Sequence, residues 1–201
     1  IANGARSELR PKAWVKIDKP YPWGAKWTIV PECLTLEAKI LHQFYDKSKI
    51  MMGILPTGAT PTAHNQRLSS VFWSMPTDQL RNFLQDNQSR SDWLKVVSKR
   101  WKPVAEWLEQ VIANPEEKQQ WFAANYRDVV MSKFSEDRIG VLGDAAHAMS
   151  PQLGQGANMA LLDAWALGQA VEISKNNNSI DHVKLWQTYH QHRQSSTAFY
   201  Q

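Results

Sequence analysis

The amino-acid sequence predicts a mixed chain of the α+β to α/β kind, on three observations. Its first third is a series of short β-prone segments set close together. Its middle third spaces apolar residues by three and four. Its last third returns to strand character and runs through a glycine-rich turn into a long helix. With 201 residues, 43% of them hydrophobic and 21% charged, the chain can bury a sizeable core and lies outside disordered, collagen-like or coiled-coil compositions.

The first segments are "WVKID", "KWTIVP", "EAKILHQFY" and "KIMMGILP", separated by "KPYPWG" and "PTGATPTA", where proline and glycine are expected to interrupt strands. "RLSSVFWSMP" adds another strand. Strands this close leave no room for helical crossovers, so an antiparallel sheet is expected. From Thr77 the period changes: Leu80, Phe83 and Leu84, then Trp93, Leu94, Val97 and Trp101, then Val104, Trp107, Leu108, Val111 and Ile112 follow helical spacing. Pro103 sits where a helix would start and Asn114-Pro115 where one would stop.

"YRDVVMS" and "RIGVLGD" read as strands, the second buried. A helix follows from Gly156 or Ala157, with Ala157, Ala160, Leu161, Ala164 and Val171 on its packing side. "NNNS" at 176–179 breaks the chain before a last helix from about Asp181.

Several function classes lose support at once. The net charge of +4 comes from scattered Lys and Arg, without the basic stripe that tracks a nucleic-acid backbone. No apolar run reaches the 18 to 20 or so residues of a membrane span, and "IANGARSELR" lacks a signal-peptide core, so a soluble, cytoplasmic protein is expected. The single Cys33 forms no internal disulfide and has no nucleophile pattern around it. No ligand set for a metal is read from the sequence.

The chemistry concentrates in residues 138–171, which hold five of the nine glycines. If "RIGVL" is a strand, Gly143 turns the chain at its end and Asp144 stands at the edge where ligands of open α/β sheets bind. A carboxylate there can accept hydrogen bonds from sugar-alcohol hydroxyls. Pro151, Gly154, Gln155 and Gly156 then shape a loop whose backbone can approach a flat ligand, and Ala157 and Asn158 begin a helix whose N-terminus suits an anionic or electron-accepting group. The alternative is a tight connection in which Asp144 only caps a turn.

"GDAAHAMSPQLGQGANMALLDAWAL" resembles the GD motif of the single-component FAD-dependent aromatic hydroxylases of the para-hydroxybenzoate hydroxylase type, with Gly143, Asp144, Ala145, Ala146, His147, Pro151, Gly154, Gly156, Asn158, Ala160 and Asp163 at the family's spacing. "ANGARSELR" is similar to that family's Asp-Gly signature, with Gly4, Ser7 and Arg10 in register and Asn3 where an aspartate is usual. The family's opening βαβ unit with G-x-G-x-x-G is not found in these residues, and by comparison about the first 150 residues of its pattern are missing.

The resemblance implies a partial FAD-binding domain of glutathione-reductase-like fold and an antiparallel-sheet substrate domain with helices. Residues 1–12 and 126–201 would belong to the first and residues 13–125 to the second. It implies an FAD-dependent monooxygenase that uses NADH or NADPH and O2 to hydroxylate a small aromatic or related substrate through a flavin C4a-hydroperoxide, here as a C-terminal portion. Gly143, Asp144, Pro151, Gly154, Gln155, Gly156, Ala157 and Asn158 would contact the ribityl and ring parts of FAD. Arg10 with Ser7 would act near the pyrophosphate and the nicotinamide cofactor, against the alternative of a solvated surface charge. His147 is expected to make a structural hydrogen bond and Asp163 to order the helix or a loop. Trp27, Trp73, Met51 and Met52 fall on substrate-domain strands and are expected chiefly in the core. Without the glycine motif, the chain alone is expected to hold FAD weakly or not at all. A relic or binding subunit of the same fold, and a related flavoprotein reductase, are the competing readings.

Overall fold

The computed structural model of the chain describes residues 1–47, 49–60, 63–85, 87–112, 120–151, 154–176 and 179–200. In chain order a 3-10 turn over Lys12–Trp14 is followed by β1 (Val15–Pro31), β2 (His42–Asp46), β3 (Ile50–Thr60), β4 (Ala63–Pro76), α1 (Thr77–Gln85), α2 (Asn87–Arg100) and α3 (Lys102–Ile112). Then come β5 (Phe122–Met131), β6 (Ser135–Glu136), β7 (Ile139–Gly140), α4 (Asp144–His147), α5 (Gly156–Ser174), β8 (Lys175–Asn176), β9 (Ser179–Ile180) and α6 (His182–Tyr200). The chain forms two compact units, Ile1–Tyr21 with Tyr126–Gln201, and Pro22–Asn125. The first unit's N-terminal part extends past residue 12 because Trp14 is buried in that unit's apolar cluster with Val129, Met131 and Phe134.

The five-stranded sheet has the order β2-β3-β4-β1-β5, and β1 with β4, β2 with β3 and β3 with β4 pair antiparallel. Two expected interruptions are strand instead. β1 runs through Pro20 and Pro22, which carry no N–H to lose, and its pairing with β4 begins only at Trp23. β3 runs through "PTGAT", its register against β4 shifting between Pro56 and Gly58 and again between Gly58 and Thr60, so bulges absorb the residues that would break a flat strand. "EAKILHQFY" is strand only from His42.

In the second unit, the register lines Met52, Trp73 and Lys26 in one row and Ile54, Val71 and Thr28 in the next, on one face of the sheet. Leu80 and Phe83 of α1, Trp93 and Val97 of α2, and Val104, Ala105 and Leu108 of α3 are buried, and most of them form one core with Val30, Met52, Ile54, Val71 and Trp73. Pro103 sits in the first turn of α3, where a missing N–H costs nothing. The expected stop at Asn114-Pro115 lies outside the described residues.

Lys26 is the exception in this core. It is fully buried, its ammonium 2.9 Å from the ring centroid of Phe83 and 4.0 Å from that of Trp93, with Trp121 and Trp73 at 5.5 and 5.7 Å. Its stem fills core volume while four aromatic faces surround the charge.

In the first unit, α5 and α6 pack with Val141, Ala145, Ala146 and Ala148 around Tyr189. The expected buried strand over 138–142 is a ladder of two residues, Ser135 against Gly140 and Glu136 against Ile139. Beyond it, the amides of Val141 and Leu142 donate to the carbonyls of Phe134 and Ile1. The packing side of α5 also differs from expectation. Met159, Asp163, Ala166, Ala170 and Ser174 are buried, whereas Ala157, Leu161 and Ala164 are exposed, Leu161 by 69%. This helix is apolar on nearly every side, so the composition of each stripe could not choose among them.

Candidate flavin-binding turn

Gly143 adopts φ +60° and ψ −149°, a combination open in practice only to glycine. Its carbonyl accepts the amides of Ala146 and His147 at 2.8 and 3.0 Å, which starts α4. Asp144, the first residue of α4, is exposed, while Ala145, Ala146 and His147 behind it are buried. The carbonyl of Ala148, just after α4, takes the N–H of Val129 at 2.9 Å and so ties the turn to β5.

The second turn follows directly. Pro151 is exposed and its carbonyl accepts the Gly154 N–H at 2.9 Å, with Gly154 at φ +62°. Gln155 and Gly156 are half-buried, and Ala157 and Asn158 are exposed at the start of α5. Asn158 donates through Nδ2 to Oε1 of Gln155 at 3.2 Å. The N-cap residue Gln155 gives the helix no side-chain cap, so the first-turn N–H groups keep their capacity to donate. A Cβ placed on Gly154 or Gly156 would meet no atom within 4 Å.

Beneath these turns lies a buried ionic cluster. The Asp163 carboxylate, fully buried on α5, accepts the Gly143 N–H and the His147 Nε2 at 2.6 Å each through Oδ2, and Arg193 Nε of α6 at 2.6 Å through Oδ1. Burial pushes this carboxyl up, but hydrogen bonds and charge from His147, the Gly143 amide and Arg193 outweigh it, leaving it below the ordinary value. Tyr189, in the same core, donates to the Val141 carbonyl at 3.2 Å; burial first, and the Asp163 charge second, hold its hydroxyl well above the usual range.

Arg10 is only 4% exposed, so it is not a solvated charge. Its Nη1 donates to the Ala145 carbonyl, and its Nη2 to the Ala5 carbonyl and to Asp18, each at 2.8 Å. Ser7 Oγ accepts the Arg10 amide at 3.2 Å. Arg127 is the second partner of Asp18. Burial raises the Asp18 carboxyl, and the hydrogen bonds and charges of Arg127 and Arg10 more than reverse that. The N-terminal segment is thus tied to α4 through Arg10.

The structure therefore gathers Gly143, Asp144, Pro151, Gly154, Gln155, Gly156, Ala157 and Asn158 into two consecutive turns of one unit, with Arg10 behind the first. Met52 and Trp73 lie in the sheet–helix core, while Met51 and Trp27 are half-buried, Trp27 stacked on Phe122 with ring centroids 4.8 Å apart. Sequence reasoning missed Arg193. Its signal was the stripe Leu185, Tyr189, Arg193, Thr197 at four-residue steps, where an arginine on the buried face of a helix demands a carboxylate partner.

An exposed carboxylate, two glycine-shaped turns, the second with open space beside its glycines, and an uncapped helix start suit a cofactor with a polyol chain and an electron-accepting ring. The family described as FAD binding domain matches residues 2–198, and the chain belongs to that family, for which FAD is the cofactor. It is 35% identical over 89 residues to 3-hydroxybenzoate 6-hydroxylase of Polaromonas naphthalenivorans, a stretch covering 44% of this chain and 21% of that protein. It is 62% identical over 32 residues to 2-heptyl-3-hydroxy-4(1H)-quinolone synthase of Pseudomonas aeruginosa, covering 16% of this chain and 8% of that one. Among solved structures, PqsL of P. aeruginosa in complex with 2-aminobenzoylacetate superposes with a TM-score of 0.72 at 18% identity, covering 98% of this chain and 51% of that one. HpxO of Klebsiella pneumoniae, complexed with FAD and uric acid, gives 0.71 at 19% identity, covering 99% of this chain and 47% of that one. The chain thus spans about half the length of these structures, and they share its fold.

Proposed function

We propose that this chain supplies the ribityl- and ring-facing side of the FAD site in a monooxygenase that consumes NADH or NADPH and O2 and hydroxylates a small aromatic or related organic substrate. The observation that carries this reading is the Gly143–Asp144 turn followed by the open glycine turn and uncapped start of α5. Asp144 would accept hydrogen bonds from the ribityl hydroxyls. The first-turn amides of α5 would face the ring region that becomes negative on reduction, and the Asn158 side chain, now on Gln155, is in position to turn outward as a donor. Bound FAD would supply the redox and oxygen chemistry, and the protein would orient it and exclude water. Arg10 would serve this site from behind, by holding the Ala145 carbonyl. A cytoplasmic setting agrees with the single, buried thiol of Cys33, and no helix among the described residues is long and apolar enough to cross a membrane.

The test is a titration of riboflavin, FMN and FAD with the 201-residue chain, followed by flavin fluorescence, beside the variant Asp144→Ala. Loss of a charged hydrogen-bond acceptor is expected to weaken flavin binding roughly tenfold or more. Equal affinity in the two proteins would refute Asp144 as the ribityl contact. Absence of binding by any flavin would favour the binding-subunit reading.

A further inference from the structure

The turn that carries Asp144 is built on the residue least able to hold its own conformation. Gly143 has no side chain, and at φ +60° and ψ −149° its backbone sits in a region it can leave at little cost. Something outside the turn has to hold it. An acceptor for its N–H is present, and it belongs to α5, 20 residues further along the chain: Asp163 Oδ2 at 2.6 Å.

The same oxygen receives Nε2 of His147 at 2.6 Å. His147 is the last residue of α4 and Gly143 is its N-cap, so one carboxylate oxygen grips both ends of a four-residue helix with Asp144 between the two grips. Gly143 is further fixed on its carbonyl side by the amides of Ala146 and His147. The carboxylate cannot swing away, because its other oxygen is held by Arg193 Nε at 2.6 Å. Arg193 is itself anchored by Nη1 on Ser196 Oγ at 2.7 Å and by Nη2 near the Met159 carbonyl and sulfur. The side chains of Asp163 and His147 are fully buried and that of Arg193 is 4% exposed.

Arg193 already balances the Asp163 charge, and Nδ1 of His147 is buried with no hydrogen-bond partner among the described residues. An ionised carboxylate can only accept, so Nε2 of His147 donates in its bond to Asp163, and every group on the carboxylate is a donor.

We infer that Asp163, braced by Arg193 and His147, is the positioning residue of the Gly143–Asp144 turn: it touches no cofactor and sets the direction in which Asp144 is presented. The inference rests on the proposed flavin role of Asp144, but its first readout does not need a flavin. In the 201-residue chain, NMR hydrogen exchange of the Gly143 amide is expected to be slow and to accelerate at least tenfold in Asp163→Asn, while the Val129 amide, bonded to Ala148, keeps its protection. Should Asp163→Asn fail to fold, His147→Leu takes its place, since it removes one grip and leaves the ion pair with Arg193 intact. It is expected to raise Gly143 exchange severalfold, and His147→Gln, which restores an N–H donor, to reverse most of that rise.

The second readout is a double-mutant cycle on riboflavin affinity. Asp163→Asn is expected to weaken binding about as much as Asp144→Ala does, and the double variant to bind no more weakly than Asp144→Ala alone. Unchanged Gly143 exchange in the variants, or additive losses in the cycle, would overturn the inference while leaving the flavin reading intact. Accelerated Gly143 exchange in a chain that binds no riboflavin would overturn the flavin reading and, with it, the positioning role.

Discussion

At the scale of residues, two paired carboxylates follow one rule: each is held by donors that repay its loss of water, complete at Asp163 and partial at Asp18, whose side chain is 29% exposed. Asp163 has three donors, and Asp18 has the two guanidinium groups of Arg10 and Arg127. Both carboxyls lie below the ordinary 3.8 because these donors outweigh burial. The sign of the pH dependence follows. The unfolded chain takes up these protons at higher pH than the folded one, so the stabilisation is complete above about pH 4 and is lost as the pH falls through the folded-state values. Urea unfolding midpoints from pH 6 to pH 2 should fall most steeply below pH 4, and Asp18→Asn should flatten that fall. A parallel decline in the variant and the parent would remove Asp18 from the account. His147 and Asp163 were legible as structural residues because a His and an Asp inside a glycine-rich turn and an apolar helix need partners. Their actual pairing, and Arg193 as the third member, were not, since α6 meets α5 only through the tertiary fold.

At the scale of elements, the periodic parts were legible and the interrupted parts were not. The helical spacing from Thr77 onward corresponds to α1, α2 and α3, and the glycine-to-helix turn at Gly156 to the start of α5. Prolines and glycines misled in β1 and β3, because turn chemistry is local whereas a strand can absorb a proline ahead of its pairing with β4 and a glycine at a bulge. The buried stripe of α5 was unreadable for a related reason, as a helix apolar all round offers several candidate faces. One glycine in a strand has a firm cause. A Cβ on Gly24 would stand 2.5 Å from the Ala124 carbonyl oxygen and 2.6 Å from Leu80 Cδ1, so backbone would have to give way on the β5 side. Gly24→Ala is expected to cost about 2 kcal/mol or more, as overpacking with backbone displacement does, and denaturant unfolding measures it. A neutral result would mean that β5 yields freely at Ala124.

At the scale of the whole molecule, the proposed flavin role sets what this chain should hold. In that reading the turns around Asp144 and Gly156 would meet the ribityl and ring parts of a flavin, while these 201 residues carry no G-x-G-x-x-G loop for the adenosine diphosphate part. If each contact adds its own share, riboflavin, FMN and FAD should bind this chain with affinities within about tenfold of one another. A stoichiometric, tight complex with FAD alone would show that these residues also grip the adenosine end.

The hydrogen bond from Arg10 to the Ala145 carbonyl joins residues 135 positions apart. A ribosome adding roughly 5 to 20 residues per second needs on the order of ten seconds to travel between them. During that interval the guanidinium has no Ala145 to bind, and all of residues 22–125, a unit with its own core, is made before the first unit has its remaining parts. Until then Arg10 has only its near neighbours Ala5 and Asp18 as partners, and closure of its bond to Ala145 marks a late step of a vectorial assembly in which a segment translated before residues 22–125 is secured after them.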